Sequence, residues 1–372
     1  MTFRRRRRVA AGVGVAVIAA ISLGLDGALG DAAIGPNPAE VERLSLEAVP
    51  DRALTGQMLM VRMGGSATPE LVRQARAGEI GGVIVFPPPD QPISELRDEI
   101  ARLQDAAREG RRPQLLVAID QEGGEVKRLP AGPPDRAPPE LSAPGDEQAA
   151  RDEGRTTGRY LTRLGINVDL APVLDVPTSS SSFIASRAFG TDPRVVAGNG
   201  SAFADGLAEG GAIATAKHFP GLGRAIANTD LAPSEIDASD RALGDDLAPF
   251  REAIARGVPM VMVGHATYRG LDPDAPAALS RTVVDGLLRD DLGFEGVTIS
   301  DDLGAGAIRA AVPEREAPVA AARAGIDVLL LAGRSDSARA LDALDAALDA
   351  GKLNRRALEQ SLLRILALKQ PL

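Results

Sequence analysis

Gly211-Ala212-Ile213-Ala214-Thr215-Ala216-Lys217-His218-Phe219-Pro220-Gly221-Leu222-Gly223-Arg224 is the stretch on which the reading of the fold turns. Its first six residues are small, apolar or β-branched, as a strand buried on both faces requires. The run ends in a Lys-His pair and a Pro-Gly turn. A charged strand end opening into a glycine-bearing loop is where a parallel α/β protein builds a site.

Seven further short apolar runs share this character, at 57–63, 82–86, 114–119, 166–170, 260–263, 297–300 and 327–331. Helical periodicity lies between and after them, over 93–108, 146–164, 195–209, 245–256, 281–289, 314–324, 336–350 and 354–368. Eight strands alternating with helices predict an α/β fold, a (β/α)₈ TIM-type barrel forming a single catalytic domain over 51–372. The competing arrangement is an open doubly wound sheet, but no G-x-G-x-x-G follows the first strand. The Pro-rich excursion 130–144 after the third strand reads as a loop over the barrel mouth.

Composition narrows the functional classes. The chain has 372 residues, 44% of them hydrophobic, and a net charge of −9, which argues against a nucleic-acid binder. It has no cysteine, which excludes disulfides, thiolate nucleophiles and Cys-zinc sites. With only two histidines, His218 and His265, a His-rich metal site is disfavoured. Aromatic residues make up 3% and tryptophan is absent, so sugar stacking on indole is unavailable.

The N-terminus reads as an address. Arg4 to Arg8 form a basic segment, 9–25 is an apolar run, and Ala28-Leu29-Gly30 offers small residues for cleavage. At 17 residues the run is short for a membrane span, so residues 1–30 are expected to be a signal peptide, with an N-terminal membrane anchor as the alternative. Either places the rest of the chain outside the cytoplasm. Residues 31–50 are a Pro/Ala-rich linker.

The residues that follow each strand supply the chemistry. Ile119 is followed by Asp120, Ala216 by Lys217 and His218, Gly264 by His265, and Ser300 by Asp301 and Asp302. Four strands thus aim Asp120, Lys217, His218, His265 and Asp301 at one barrel mouth. Both of the chain's histidines fall at such ends. Carboxylates without metal-ligand spacing, flanked by Lys, His and Arg, suit glycoside hydrolysis, in which one carboxylate meets the anomeric carbon and another group serves the leaving oxygen.

Five motifs in chain order then resemble one family: Asp120-Gln121-Glu122-Gly123-Gly124-Glu125-Val126-Lys127-Arg128, Asn167 to Val176, Ser186-Arg187-Ala188-Phe189-Gly190, Lys217-His218-Phe219-Pro220-Gly221, and Ser300-Asp301-Asp302-Leu303. The family is glycoside hydrolase family 3, and the branch is that of the single-domain β-N-acetylglucosaminidases (β-hexosaminidases). The resemblance implies a barrel and a retaining mechanism with a covalent glycosyl-enzyme intermediate, without metal or organic cofactor. It implies Asp301 as nucleophile, Asp120 as a hydroxyl-binding carboxylate, and Arg128, Arg187, Lys217 and His218 as sugar contacts. Asp175 matches a buried supporting carboxylate, His265 a supporting position after the sixth strand, and Glu122 a residue shaping the Gly123-Gly124 turn. Asp302 reads as a helix cap. The implied partner is a carbohydrate with a β-linked amino sugar, and the protein is expected to be a monomer.

The acid/base loop departs from the family. That branch carries Gly-His-Gly and then an Asp-x-His dyad ten and twelve residues after the Lys-His histidine. This chain has Gly221-Leu222-Gly223, with Asn228 and Asp230 at the dyad positions. Gly304-Ala305 replaces the family's Ser-Met after the paired aspartates. Asp230 is therefore the candidate acid/base, with Asn228 in the supporting position. The alternatives are a catalytically impaired sugar-binding pseudoenzyme, or a β-glucosidase or β-xylosidase of the same family. A free Asp has a pKa of about 3.9, so Asp230 must be shifted upward to carry a proton.

Overall fold

The computed structural model describes residue 46 and residues 48–180, 182–333, 337–370 and 372. The expected signal segment, and the linker up to residue 45, lie outside the described residues. Among the described residues no helix is long and apolar enough to cross a membrane.

Eight strands form one parallel sheet: β1 (Leu59–Met63), β2 (Gly82–Val85), β3 (Leu116–Ile119), β4 (Val168–Asp169), β5 (Ile213–Phe219), β6 (Met260–Val263), β7 (Val297–Ser300) and β8 (Leu329–Leu331). Their order is sequential, and β1 pairs with both β2 and β8. Val328 N donates to Thr298 O at 2.9 Å and Ser300 N to Val328 O at 3.0 Å, closing β7 onto β8. The result is the eight-stranded barrel of the sequence reading. Nearly every strand residue is buried, because helices cover the outer face and side chains fill the interior.

The helices are α1 (Asp51–Gln57), α2 (Pro69–Ala77), α3 (Ile93–Glu109), α4 (Glu147–Arg163), α5 (Pro193–Glu209), α6 (Asp240–Ala255), α7 (Gly306–Ala311), α8 (Ala317–Ala324), α9 (Ser337–Asp349) and α10 (Arg355–Lys369). The segment Thr282–Asp291 between β6 and β7 is wound with wider turns: Leu292 N reaches Leu287 O, five residues back. The sequence reading did not name α2. It is short and mostly polar, but its ends are well marked: the Thr68 hydroxyl accepts from Leu71 N, Pro69 opens the first turn, and Gly78 closes the helix at φ +75°.

The lower end of the barrel holds a buried lysine. Lys369 Nζ donates to Gln57 Oε1 and Gly81 O, both at 2.8 Å and both uncharged acceptors. Burial lowers its pKa from 10.5 to about 7. Between those values the unfolded chain binds more protons than the folded one, so folding stability rises with pH. Urea unfolding of wild type across pH 7 to 10 is expected to show a rise that Lys369→Met lacks. Identical pH slopes for the two proteins would refute this.

Candidate active site

The β5 strand fixes the floor of the site. Its pairing with β6 slips between Ala216 and Phe219, so an extra residue is accommodated as a bulge. Regular alternation would send Lys217 and His218 to opposite faces; the bulge re-aims the strand end, and both side chains line the same pocket. The peptide joining them is cis. The loop beyond packs tightly against the segment that follows β4. A Cβ at Gly223 would lie 1.8 Å from Val176 O, and Gly221 sits at φ +125°, which explains the two glycines flanking Leu222.

Lys217 anchors a buried ionic cluster. Its Nζ lies 2.9 Å from Asp120 Oδ1 and 2.6 Å from Glu122 Oε1. Arg187 clasps Glu122 with both arms of its guanidinium, Nε to Oε2 at 2.8 Å and Nη2 to Oε1 at 2.7 Å. Burial alone would raise the Glu122 pKa, but Lys217 and Arg187 override it and bring it down to about 2. Burial likewise opposes the Lys217 charge, and Asp120 with Glu122 outweighs it, holding that pKa above its ordinary value. Glu122 thus does more than shape the Gly123-Gly124 turn. It is the shared anion of two pocket cations, which a reading of the turn alone could not reveal. Gln121 shapes the loop instead: its amide donates to Leu129 O and Pro133 O and accepts from Leu129 N. Asp169, also absent from the sequence candidates, accepts from Gln121 N beneath the cluster, and burial pushes its carboxyl well up.

Asp175 holds His218 from behind. Its Oδ2 is 2.7 Å from His218 Nδ1, while Oδ1 accepts from the backbone of His218 and Leu222. The pairing presents Nε2 of His218 to the pocket side, 3.5 Å from Arg187 Nη2. Farther along the loop, Arg224 Nε donates to the buried Asp246 at 2.7 Å, and Tyr268 donates to Gly221 O. These contacts tie the loop to α6 and to the segment after β6.

Asp301 leaves the β7 end. Ser300 and Asp302 take over the ladder around it: Leu330 N donates to Ser300 Oγ, and Asp302 Oδ1 accepts from Gly304 and Ala332 N. Asp302 therefore caps the turn and straps it to the end of β8. Asp301 N donates to Val263 O at the end of β6 at 3.1 Å, and its carboxylate lies in the pocket, accepting one hydrogen bond from Asp302 N at 2.8 Å. Burial works against its charge, but His265, His218 and the Asp302 N–H prevail and hold its pKa below the ordinary value. His265 does not line the pocket; it is buried behind Asp301, with Nε2 3.0 Å from Asp302 O.

Asp230 closes the opposite wall. Its N–H donates to Asn228 Oδ1, making a turn, and its carbonyl accepts from Gly306 N, so the loop rests on the start of α7. Asp230 is exposed to solvent and also lines the pocket. Partial desolvation there, together with the negative charge of Asp301, raises its pKa.

The pocket occupies about 450 Å³ and brings together Asp120, Arg128, Arg187, Lys217, His218, Asn228, Asp230 and Asp301. Asp175 and His265 stand outside its lining. Sequence reasoning missed Arg62, Phe86 and Phe183, which complete the wall. The arrangement offers charged donors and acceptors for sugar hydroxyls and two carboxyls whose pKa values are pushed apart, the pattern of an acid working with an anion.

Comparison with known proteins agrees with this geometry. The family model described as "Glycosyl hydrolase family 3 N terminal domain" matches residues 52–368. A secreted glycosyl hydrolase of uncharacterised activity from Arthroderma benhamiae is 36% identical over 85% of this chain and 92% of its own length. The Mycobacterium tuberculosis β-hexosaminidase LpqI is 34% identical over 78% of this chain and 76% of its own. Among solved structures, a family 3 β-N-acetylglucosaminidase from a Paenibacillus species superposes with a TM-score of 0.84 at 35% identity, over 87% of this chain. The chain spans 63% of that protein's length. The β-N-acetylhexosaminidase of Beutenbergia cavernae gives 0.79 at 32% identity, over 86% of this chain and 98% of its own.

Proposed function

Since the chain belongs to glycosyl hydrolase family 3 and is a glycoside hydrolase, we propose that it is an exported, retaining β-N-acetylglucosaminidase acting on cell-wall or amino-sugar oligosaccharides. The observation that carries this reading is the pairing of Asp301 and Asp230 across one pocket, the first held ionised and the second inclined to keep its proton. The names of the similar proteins support the amino sugar, and the secreted relative supports export. The alternatives of β-glucosidase and β-xylosidase are separated by parallel assay of the corresponding aryl glycosides.

In the proposed reaction the sugar lies on Asp120, Lys217, His218, Arg187 and Arg128. Asp301 attacks the anomeric carbon as Asp230 gives its proton to the departing oxygen, leaving a glycosyl-Asp301 ester and a free alcohol. Asp230, now ionised, takes a proton from water; the water oxygen attacks the anomeric carbon, and Asp301 leaves as carboxylate. Stereochemistry at that carbon is retained after two inversions.

The test is leaving-group dependence. Asp230→Ala is expected to reduce kcat/KM for a disaccharide or alkyl β-N-acetylglucosaminide by about 10²–10⁴-fold, and for a 4-nitrophenyl glycoside, whose departure needs no proton, by less than about tenfold. Activity needs Asp301 ionised and Asp230 protonated, so wild-type kcat/KM falls at low pH through the first and at high pH through the second. The alkaline limb should vanish in Asp230→Ala. Equal losses on both substrates with an unchanged pH profile would remove Asp230 from the role.

A further inference from the structure

The wall of the pocket opposite the loop is built from the ends of β1, β2 and the turn after β3. Arg62, the fourth residue of β1, lays its guanidinium on the Phe86 ring, with Cζ 4.0 Å from the centroid. Arg128 approaches the same ring at 5.0 Å. Both arginines and Phe86 line the pocket. Their charges are poorly matched. Arg62 has no carboxylate partner among the described residues; its one hydrogen bond is from Nη1 to Ala332 O at 3.1 Å. Arg128 stands 3.7 Å from Asp120 Oδ2, too long for a hydrogen bond, while Asp120 gives its other oxygen to Lys217 at 2.9 Å. Glu125, also on this wall, accepts from Ser186 instead. Arg187 and Lys217, by contrast, are fully answered by Glu122 and Asp120.

Two guanidinium groups on one ring repel each other, and the ring's face returns only about 0.5–1 kcal/mol at an accessible site. The stack holds both guanidinium groups at the pocket wall, and among the described residues the donors of Arg62 meet one acceptor, Ala332 O. From this we propose that the pocket carries an anion subsite, formed by Arg62 and Arg128 on Phe86, which receives a carboxylate, sulfate or phosphate substituent of an amino sugar. A planar guanidinium fork suits such oxyanions.

This deepens the proposed function and rests on the sugar entering the same pocket, but it is tested by binding, without turnover. Isothermal titration would compare N-acetylglucosamine with N-acetylglucosamine 6-sulfate, N-acetylglucosamine 6-phosphate and N-acetylmuramic acid, whose charge is a 3-O-lactyl carboxylate. At least one charged sugar is expected to bind about ten- to hundredfold tighter than the parent. The arm that does so identifies the substituent and its position on the ring. In Arg62→Met the ratio of charged to parent affinity should fall toward one, and in wild type it should shrink as salt rises. Arg62→Lys should restore part of it. If no charged sugar outbinds the parent, or if the preference survives in Arg62→Met, the subsite is wrong. Loss of aryl-glycoside turnover would instead strike the proposed function, which this titration does not read.

Discussion

Asp301→Ala is expected to lower kcat on any β-N-acetylglucosaminide by roughly 10⁴–10⁶-fold, the range found when the nucleophile or its partners are removed from a unit that acts together. The loss should be nearly independent of leaving group, because both steps pass through the glycosyl-Asp301 ester. That separates it from the selective loss expected of Asp230→Ala. Added azide should then restore turnover of an activated aryl glycoside in Asp301→Ala: the anion enters the space vacated by the carboxylate and attacks the anomeric carbon as the phenol leaves. One inversion gives an α-glycosyl azide, identifiable by NMR. An Asp301→Ala protein of unimpaired activity, or a rescued product of β configuration, would remove Asp301 from the role of nucleophile. His265 and His218 enter this expectation because they favour the charged form of Asp301 against its burial.

The second large effect is on stability. Glu122 is the buried anion between Lys217 and Arg187, and Glu122→Leu leaves Lys217 with Asp120 and Arg187 without its paired carboxylate. Breaking a buried ionic set by removing one partner costs about 3–5 kcal/mol, since a buried charge is left without full compensation. Urea unfolding at pH 7 should read a loss of that size. Glu122→Gln, which keeps the shape and some of the hydrogen bonds, should cost less. The pH dependence has a definite sign. The Glu122 pKa falls from 4.5 to about 2 on folding, so its contribution is complete above pH 4.5 and is lost as pH drops toward 2. In Glu122→Leu that part of the acid sensitivity should be missing. A variant as stable as wild type at pH 7 would mean that Lys217 and Arg187 find other partners or solvent.

The barrel was legible because burial on both faces leaves strands short, apolar and β-branched, and because polar residues gather where those runs stop. Asp120, Lys217, His218 and Asp301 sit at such ends and meet in one pocket. The wider role of Glu122 was hidden for a physical reason: its place beside two glycines suggests a turn, whereas its ion pairing depends on Arg187, 65 residues away. Arg62 was missed because a single charge inside an apolar strand looks like an outward-facing residue. Its pocket contact appears only when Phe86 and Ala332 are brought beside it by β2 and β8. α2 escaped because few of its residues meet the core. The loop 222–230 showed its departure from the family plainly. Its geometry adds the part that spacing could not: Asp230 is set at the pocket wall by contacts with Asn228 and with the start of α7.

The strap at the seam of the barrel has a consequence for how the enzyme fails on heating. Where β7 meets β8, the Ser300 hydroxyl and the Asp302 carboxylate stand in for main-chain acceptors, and the intervening residue is Asp301. Among the described residues, main-chain bonds cross here only at Ser300 N to Val328 O, Leu303 N to Leu330 O and the rungs next to them, and joints with few such bonds belong to the low end of a fold's local opening free energies. Asp301 is thus held between this seam on one side and Val263 O of β6 on the other. Inactivation should accordingly precede melting: catalytic half-life would report the local opening of one joint, while far-UV signal from the helices persisted.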